Sequence, residues 1–274
     1  MTVGLLRAEW IKLRRLRVTW LLPILPMVLL LVGGMRIAYA VAETSRSYGL
    51  ALDETVLQSF AFPQLLLNGL QFVSVLGTLL VVLFITSIVG NEFGYDTWKT
   101  VLTRQARRGH FLMVKLTYAL AEITLTLILV PLVFQAAVLI TLQLTTNTAL
   151  PFDSSTNHWD TLSITFVVTW IRLAIAATIG LFSAVLTRSS ASGLALATPW
   201  LLGDLLINAL SFGGGMWRDL VPYTFNYNLA AFETYLRGGS GEVSVAHCLS
   251  VLLFYTVGLA LAAVVVFRRR DIAG

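Results

Sequence analysis

Leu65-Leu-Leu-Asn-Gly-Leu-Gln-Phe-Val-Ser-Val-Leu-Gly-Thr-Leu-Leu-Val-Val-Leu-Phe-Ile-Thr-Ser-Ile-Val-Gly90 contains no charged residue. A bilayer core about 30 Å thick is crossed by about 20 mainly apolar helical residues, and this run exceeds that length. Lipid offers the backbone no hydrogen-bond partner, so each peptide group must be satisfied within its own segment and the run is a helix. Five other segments meet the same requirement, which predicts spans near residues 18–41, 65–90, 116–144, 162–186, 193–212 and 248–267. The alternation over roughly ten residues that marks a membrane β-barrel is absent. The expected fold is an all-α membrane protein with six transmembrane helices.

Composition agrees. The chain is 57% hydrophobic with a mean hydropathy of +0.81. It is 12% charged, against roughly 25% in a soluble domain, which leaves too little polar material to coat a solvated globule. No internal repeat, low-complexity linker or loop long enough for a soluble unit interrupts residues 1–274, so they read as a single domain. A lone cysteine, Cys248, excludes an intramolecular disulfide and a cysteine-cluster metal site.

A net charge of +5 and a pI of 9.6 suit nucleic acid or an anionic membrane, and the placement of the charges decides. Of the 19 Lys and Arg, fourteen fall on one side of the expected spans. Arg7, Lys12, Arg14, Arg15 and Arg17 precede span one; Lys99, Arg104, Arg107, Arg108 and Lys115 lie between spans two and three; Arg188 and Arg268 to Arg270 follow spans four and six. Arg36, Arg46, Arg218 and Arg237 lie opposite, and Arg172 is inside span four. The positive-inside rule puts both termini in the cytoplasm and explains the basic charge without nucleic acid. The expected location is the cell membrane, in multi-pass form, with the lipid bilayer as a partner.

Span one begins basic and ends near Ala38-Tyr39-Ala40, as a signal peptide would, but its apolar run exceeds the roughly 7–15 residues of a signal core. Before it, Val3, Leu6, Trp10 and Leu13 recur at spacings of three and four while Arg7, Lys12, Arg14 and Arg15 fill the remaining circumference. Residues 1–17 therefore read as an amphipathic helix in the cytoplasmic interface; basic flanking residues without a separate helix are the alternative. Residues 213–247 form the longest outer segment, with Gly213 to Gly215 and Gly238-Gly239-Ser240-Gly241 around Tyr223, Phe225, Tyr227, Phe232 and Tyr235. A short helix or re-entrant hairpin is expected there.

Chemistry-bearing motifs are missing: there is no phosphate loop, no His-Glu-x-x-His and no Gly-x-Ser-x-Gly. His110, His158 and His247 fall in different connections and do not form one metal site. No catalytic residue, no metal and no enzymatic activity is expected of this chain. Polar groups within spans carry the functional signal. Glu122, Arg172 and Asp204 are ionisable at membrane depth, where such side chains face a bundle interior or a path. Arg172 and Asp204 fall at similar depth and are expected to pair. On span two, Gln64, Asn68, Gln71, Val75 and Thr78 share one helical face; on span five Asp204, Asn208 and Ser211 do so. Such stripes line a cargo path or make interhelical hydrogen bonds.

Between spans two and three runs Asn91-Glu-Phe-Gly-Tyr-Asp-Thr-Trp-Lys-Thr-Val-Leu-Thr-Arg-Gln-Ala-Arg-Arg-Gly-His-Phe-Leu-Met-Val-Lys115. A short helix over residues 97–103, then a basic turn, is expected, suited to being gripped by a soluble partner; a solvated basic loop serving topology alone is the alternative. Here the sequence resembles the permease subunits of ABC-2-type exporters, which include bacitracin-resistance, lantibiotic-immunity and sodium-efflux permeases. That family carries a Glu at the end of span two, a Gly-Thr, a Leu-Leu or Leu-Thr, an Arg after a short turn and a Lys opening span three. The chain is similar at Glu92, Thr97, Leu102-Thr103, Arg107 or Arg108, and Lys115, and departs at Asp96, where the family has Gly. Glu9-Trp-Ile-Lys12-Leu-Arg14 and Phe267-Arg-Arg-Arg270-Asp271-Ile272 also resemble the family's termini.

The resemblance implies two six-span permeases, identical or homologous, each gripped by a cytoplasmic cassette ATPase that holds the ATP and Mg. Residues 91–108 would then be the coupling loop, with Glu92, Asp96, Thr97, Lys99, Arg104, Arg107 and Arg108 facing that partner, and residues 1–17 the elbow helix. Cargo is open among drugs, peptides, lipids and ions. Two other readings stay open from the residues: a secondary transporter coupled to ions through Glu122, Arg172 and Asp204, and a membrane sensor or immunity factor that binds a peptide without moving it.

Overall fold

Residues 10–11, 17–48, 62–94, 108–146, 156–211 and 216–269 are described by the computed structural model of the chain. Among them six helices are long and apolar enough to cross a membrane, at Thr19–Thr44, Gln64–Phe93, Gly109–Thr145, Trp159–Thr187, Ser190–Leu210 and Val245–Arg269. The first five lie within α1 (Arg17–Tyr48), α2 (Gln64–Gly94), α3 (Arg108–Thr146), α4 (Thr156–Thr187) and α5 (Ser190–Leu210). A short α6 (Met216–Leu220) and a 3₁₀ turn (Val221–Tyr223) lead into α7 (Phe225–Leu236). The last span is α8 (Val245–Leu253), a π-helical turn (Phe254–Gly258) and α9 (Leu259–Arg269) in succession. No strand is present among the described residues beyond one isolated bridge position at Phe62.

Hydroxyls that would be unsatisfied in hydrocarbon are answered within their own helices. Thr86, Thr117, Thr124, Thr126 and Thr141 each donate to the carbonyl four residues back, at 2.7–2.9 Å. Prolines stand inside α1 (Pro23, Pro26), α3 (Pro131) and α5 (Pro199), where each removes one ladder donor.

The core is the seam between α2 and α4, the most extensively packed helix pair; α1 and α3 pack on each other and on α2, α5 packs on α2 and α4, and the last span packs on α4 and α3. Glycine permits the close approach: a Cβ at Gly180 would stand 2.4 Å from Ile85 Cγ2 on the facing helix. At the end of α4 the chain reverses within two residues. Arg188 takes a left-handed φ of 56°, and Ser189 caps α5 by accepting from the Ser192 amide at 3.4 Å. That turn rests on Gly90 of α2, where a Cβ would lie 2.3 Å from Ser190 N and 2.7 Å from Ser189 C.

The spans fall where hydropathy places them, but one boundary moves. α3 opens at Arg108, not near residue 116, so Arg108 and Lys115 belong to a helix and not to a connection. The reason is burial: Lys115 is fully enclosed by packing and an ion pair, so its charge does not end the apolar segment. α2 likewise continues through residues 91–94. The expected interfacial helix at 1–17 lies outside the described residues except at its Trp10–Ile11 turn and at Arg17, which opens α1. Trp10 packs edge-on against Tyr118 of α3, with ring centroids 5.1 Å apart.

The contact at Gly90 yields a test. Gly90→Ala drives a methyl group into backbone and is expected to lower stability by about 1–3 kcal/mol, as overpacking does. Gly203→Ala, which meets nothing within 4 Å, should be neutral or stabilise by up to about 1 kcal/mol. Thermal unfolding of the detergent-solubilised variants, followed by size exclusion, measures both.

Candidate functional site

Three polar clusters interrupt this apolar bundle. The first ties α2 to α3 at the end of the bundle where Arg188, Arg268 and Arg269 also lie. Lys115 Nζ is 2.9 Å from Glu92 Oε1, donates to the Ile88 carbonyl at 3.2 Å and sits 4.9 Å from the centroid of the Phe111 ring. Lys115 has no accessible surface and Glu92 is 8% exposed. A buried charge costs several kcal/mol unless it is paired and hydrogen-bonded, and here both conditions hold. Glu92, expected to face a soluble partner, is instead turned inward as a rivet between two helices. Lys115 matched the motif, but its bond to a residue 23 positions earlier had no signal in spacing.

The second cluster lies at the opposite end of α5. Asp204 is buried, and its carboxylate accepts from the Phe225 amide (2.8 Å), the Asn226 amide (3.2 Å) and Asn226 Nδ2 (2.5 Å). These amides belong to the first turn of α7, whose donors have no intrahelical acceptor, so Asp204 caps α7 from another helix. Asn208 donates to the Asp204 carbonyl at 2.7 Å and to Thr224 Oγ1 at 3.0 Å, and Ser211 donates to the Asn208 carbonyl at 2.7 Å. Buried Asn228 donates to the Pro222 and Thr224 carbonyls, both at 2.7 Å, and His247 Nε2 lies 2.8 Å from the Pro222 carbonyl. The segment is thus pinned to α5 and α8 by polar contacts. The expected Arg172–Asp204 ion pair does not form: the Asp204 carboxylate is turned to three amide donors of α7, and Arg172 lies within electrostatic reach of both Asp204 and Glu233 with its Nε buried and without a hydrogen-bond partner. The two residues come within electrostatic reach of each other, whereas the facing of Asp204 was not readable without the outer segment.

That segment is self-bonded as well. Arg237 pairs with Glu233 at 2.6 Å and reaches Thr165 of α4 at 3.4 Å. Tyr235 donates to the Val243 carbonyl. Tyr227 donates to Glu242 at 3.0 Å, and partial burial followed by that carboxylate pushes its phenol up from the ordinary value. The aromatic residues singled out in the sequence therefore build a docked helix, in agreement with the expectation of structure there.

The third cluster is the face of α2. Gln64, Asn68 and Gln71 are exposed at successive helical turns, Val75 is 71% exposed, and Thr78 is half-buried with its hydroxyl donated to the Ser74 carbonyl at 2.6 Å. Gln64 Nε2 donates to Asn68 Oδ1 at 3.3 Å. The stripe read from the spacing is real, and it points out of the bundle, not into it. Glu122 of α3 is buried apart from the other clusters and closes no ion pair among the described residues. Gln135 in the same helix has both side-chain atoms buried without a partner, a feature the sequence reading missed.

Of the other expected coupling residues, Arg108 opens α3, while Asp96, Thr97, Lys99, Arg104 and Arg107 lie outside the described residues. No group of three or more metal-ligating side chains occurs among the described residues.

These features define a multi-pass, all-helical membrane protein whose polar groups fasten helices to one another. The chain belongs to the family described as Protein of unknown function (DUF2705), whose profile matches residues 59–273. No curated protein matches it.

The cap on α7 carries a testable consequence. Asp204→Ala leaves the Phe225 and Asn226 amides without their acceptor and should destabilise the docked segment by about 1–3 kcal/mol. Hydrogen exchange should then rise at residues 225–228 and stay unchanged in α2 and α4. Equal exchange in the variant and the parent would show that the contact holds nothing.

Proposed function

We propose that the chain is the transmembrane permease subunit of an ATP-driven exporter of the ABC-2 type, moving a drug, peptide, lipid or ion outward. Both termini and the 91–108 connection face the cytoplasm of the cell in this reading, a separate cassette subunit binds ATP and Mg and hydrolyses the nucleotide, and a second permease completes the assembly. The observation that carries it is the Glu92–Lys115 rivet. α2 and α3 both continue past the apolar spans to the ends of one connection, and the buried pair locks them there. A push on residues 95–107 therefore moves two spans as a body, a rigid-body route from a soluble motor to the membrane. The exposed polar face of α2, at Gln64, Asn68 and Gln71, sits on one of those two helices and supplies the surface that such a motion would open or close.

Glu92 then acts through stiffness, and the basic residues Arg104, Arg107 and Arg108 with Asp96, Thr97 and Lys99 are left to meet the ATPase. In the assembled complex, Arg107→Glu with Arg108→Glu should abolish transport-coupled ATP hydrolysis while the permease still folds. Lys115→Met, which strands a buried carboxylate, should lower permease stability by about 3–5 kcal/mol. The purified chain alone should hydrolyse no ATP. Full coupling in the double Arg variant would remove the coupling assignment.

A second reading draws on Glu122, which is buried at membrane depth without an ion-pair partner among the described residues. Such a carboxylate suits an ion- or proton-coupled transporter. Cargo movement driven by an ion gradient in vesicles holding this chain alone would favour it.

A further inference from the structure

An apolar groove of about 420 Å³ opens on the flank of the bundle between α3, α4 and the last span, a volume in the range of small-molecule sites. Its walls include Met113 and Leu120 of α3, Trp170 of α4, and Leu253, Val257 and Leu261 of the last span, with Phe232 of α7 at one end. Leu253, Val257 and Leu261 are about half exposed although they lie at the middle of a span.

Two features make the groove more than a seam. The last span passes through a π-helical turn at Phe254–Gly258, along the groove wall. The Tyr255 carbonyl of this turn lies 2.8 Å from Thr178 Oγ1 of α4, whose hydroxyl is within the same distance of the Ile175 carbonyl of its own helix. π-Turns inside α-helices are frequent at functional sites. Beyond the end of the groove away from Phe232 the surface turns basic. Following the wall of the last span from Leu261 by two helical turns reaches Arg268, and following that of α3 back from Met113 by about one turn reaches His110 and Gly109. A Cβ at Gly109 would lie 2.8 Å from both Arg268 Nε and Val264 Cγ1, so the absence of a side chain there lets the Arg268 side chain lie against α3 at the mouth. Arg268, Arg269 and His110 are exposed, and neither arginine forms an ion pair among the described residues.

We propose that this groove is a phospholipid site, with one acyl chain lying along the π-turn wall and an anionic headgroup held by Arg268 and Arg269. An apolar slot in the wall of a membrane bundle, with arginines that pair with no carboxylate among the described residues about two helical turns beyond it, presents tail and headgroup chemistry in the order a phospholipid has them. Zwitterionic lipids share the tail and lack the net negative charge, so headgroup preference separates a built site from general lipid contact. The inference rests on the six membrane-spanning helices and is independent of the exporter reading.

The test is native mass spectrometry of the delipidated full-length protein titrated with phosphatidylglycerol or phosphatidylcholine in mixed micelles. The parent protein should hold one phosphatidylglycerol at least about tenfold more tightly than phosphatidylcholine, two arginines acting on one anionic headgroup. Arg268→Gln with Arg269→Gln, a surface change, should erase that preference and leave the weaker binding of both lipids. Val257→Trp, which fills the slot from an exposed position, should lower the affinity for both several-fold. Equal affinity for the two lipids in the parent protein overturns the proposal. So does a photoreactive residue at Leu253 that crosslinks to a second copy of the chain instead of to lipid.

Discussion

A peptide or side-chain polar group in hydrocarbon has only other protein groups to bond with, and this one constraint explains most of what is seen. It forces the apolar runs into helices. It also governs the exceptions: threonine hydroxyls fold back onto their own helices, Lys115 meets both a carboxylate and a carbonyl, and Asp204 takes the otherwise orphaned amides of α7. The last case is economical, because a buried carboxylate and an uncapped helix start are each costly alone and nearly cancel together.

The constraint also separates scaffolding from candidate function. Asp204, Asn208, Glu92 and Lys115 are accounted for by partners within the chain. Gln64, Asn68 and Gln71 are not: they are amides on the outer face of α2, where lipid would leave most of their hydrogen-bonding capacity unmet. A polar stripe on an outer helical face calls for water or another protein subunit, either of which the proposed assembly of two permeases would supply. Gln135, Glu122, Ser183 Oγ, Asn228 Oδ1 and the Arg172 Nε remain as buried polar groups whose use the helix packing does not explain.

Most of the fold was legible because a span is encoded locally, in some twenty consecutive side chains. What required the structure was information held between distant residues. The start of α3 was placed late because Arg108 and Lys115 look like loop charges until Glu92 is brought against Lys115. Arg172 and Asp204 were expected to pair and come within electrostatic reach, but the facing of Asp204 depends on residues 225 and 226, beyond the end of its own helix. The α2 stripe was read correctly because i, i+4, i+7 spacing fixes a face, while spacing alone does not say whether that face looks inward or outward. The apolar groove had no sequence signal, since its walls are ordinary Leu, Val and Ala drawn from three spans.

The central claim is that the ends of α2 and α3 move as one body and carry the polar face of α2 with them. Spin labels at Asn91 and His110, both exposed beside the Glu92–Lys115 rivet, report on that body in the proposed permease–ATPase complex, and a second pair from Gln71 to the exposed Leu206 of α5, a helix outside that body, reports on the face. On nucleotide binding, pulsed electron resonance should give an unchanged 91–110 distance and a shifted 71–206 distance. A changed 91–110 distance with 71–206 fixed would contradict the account.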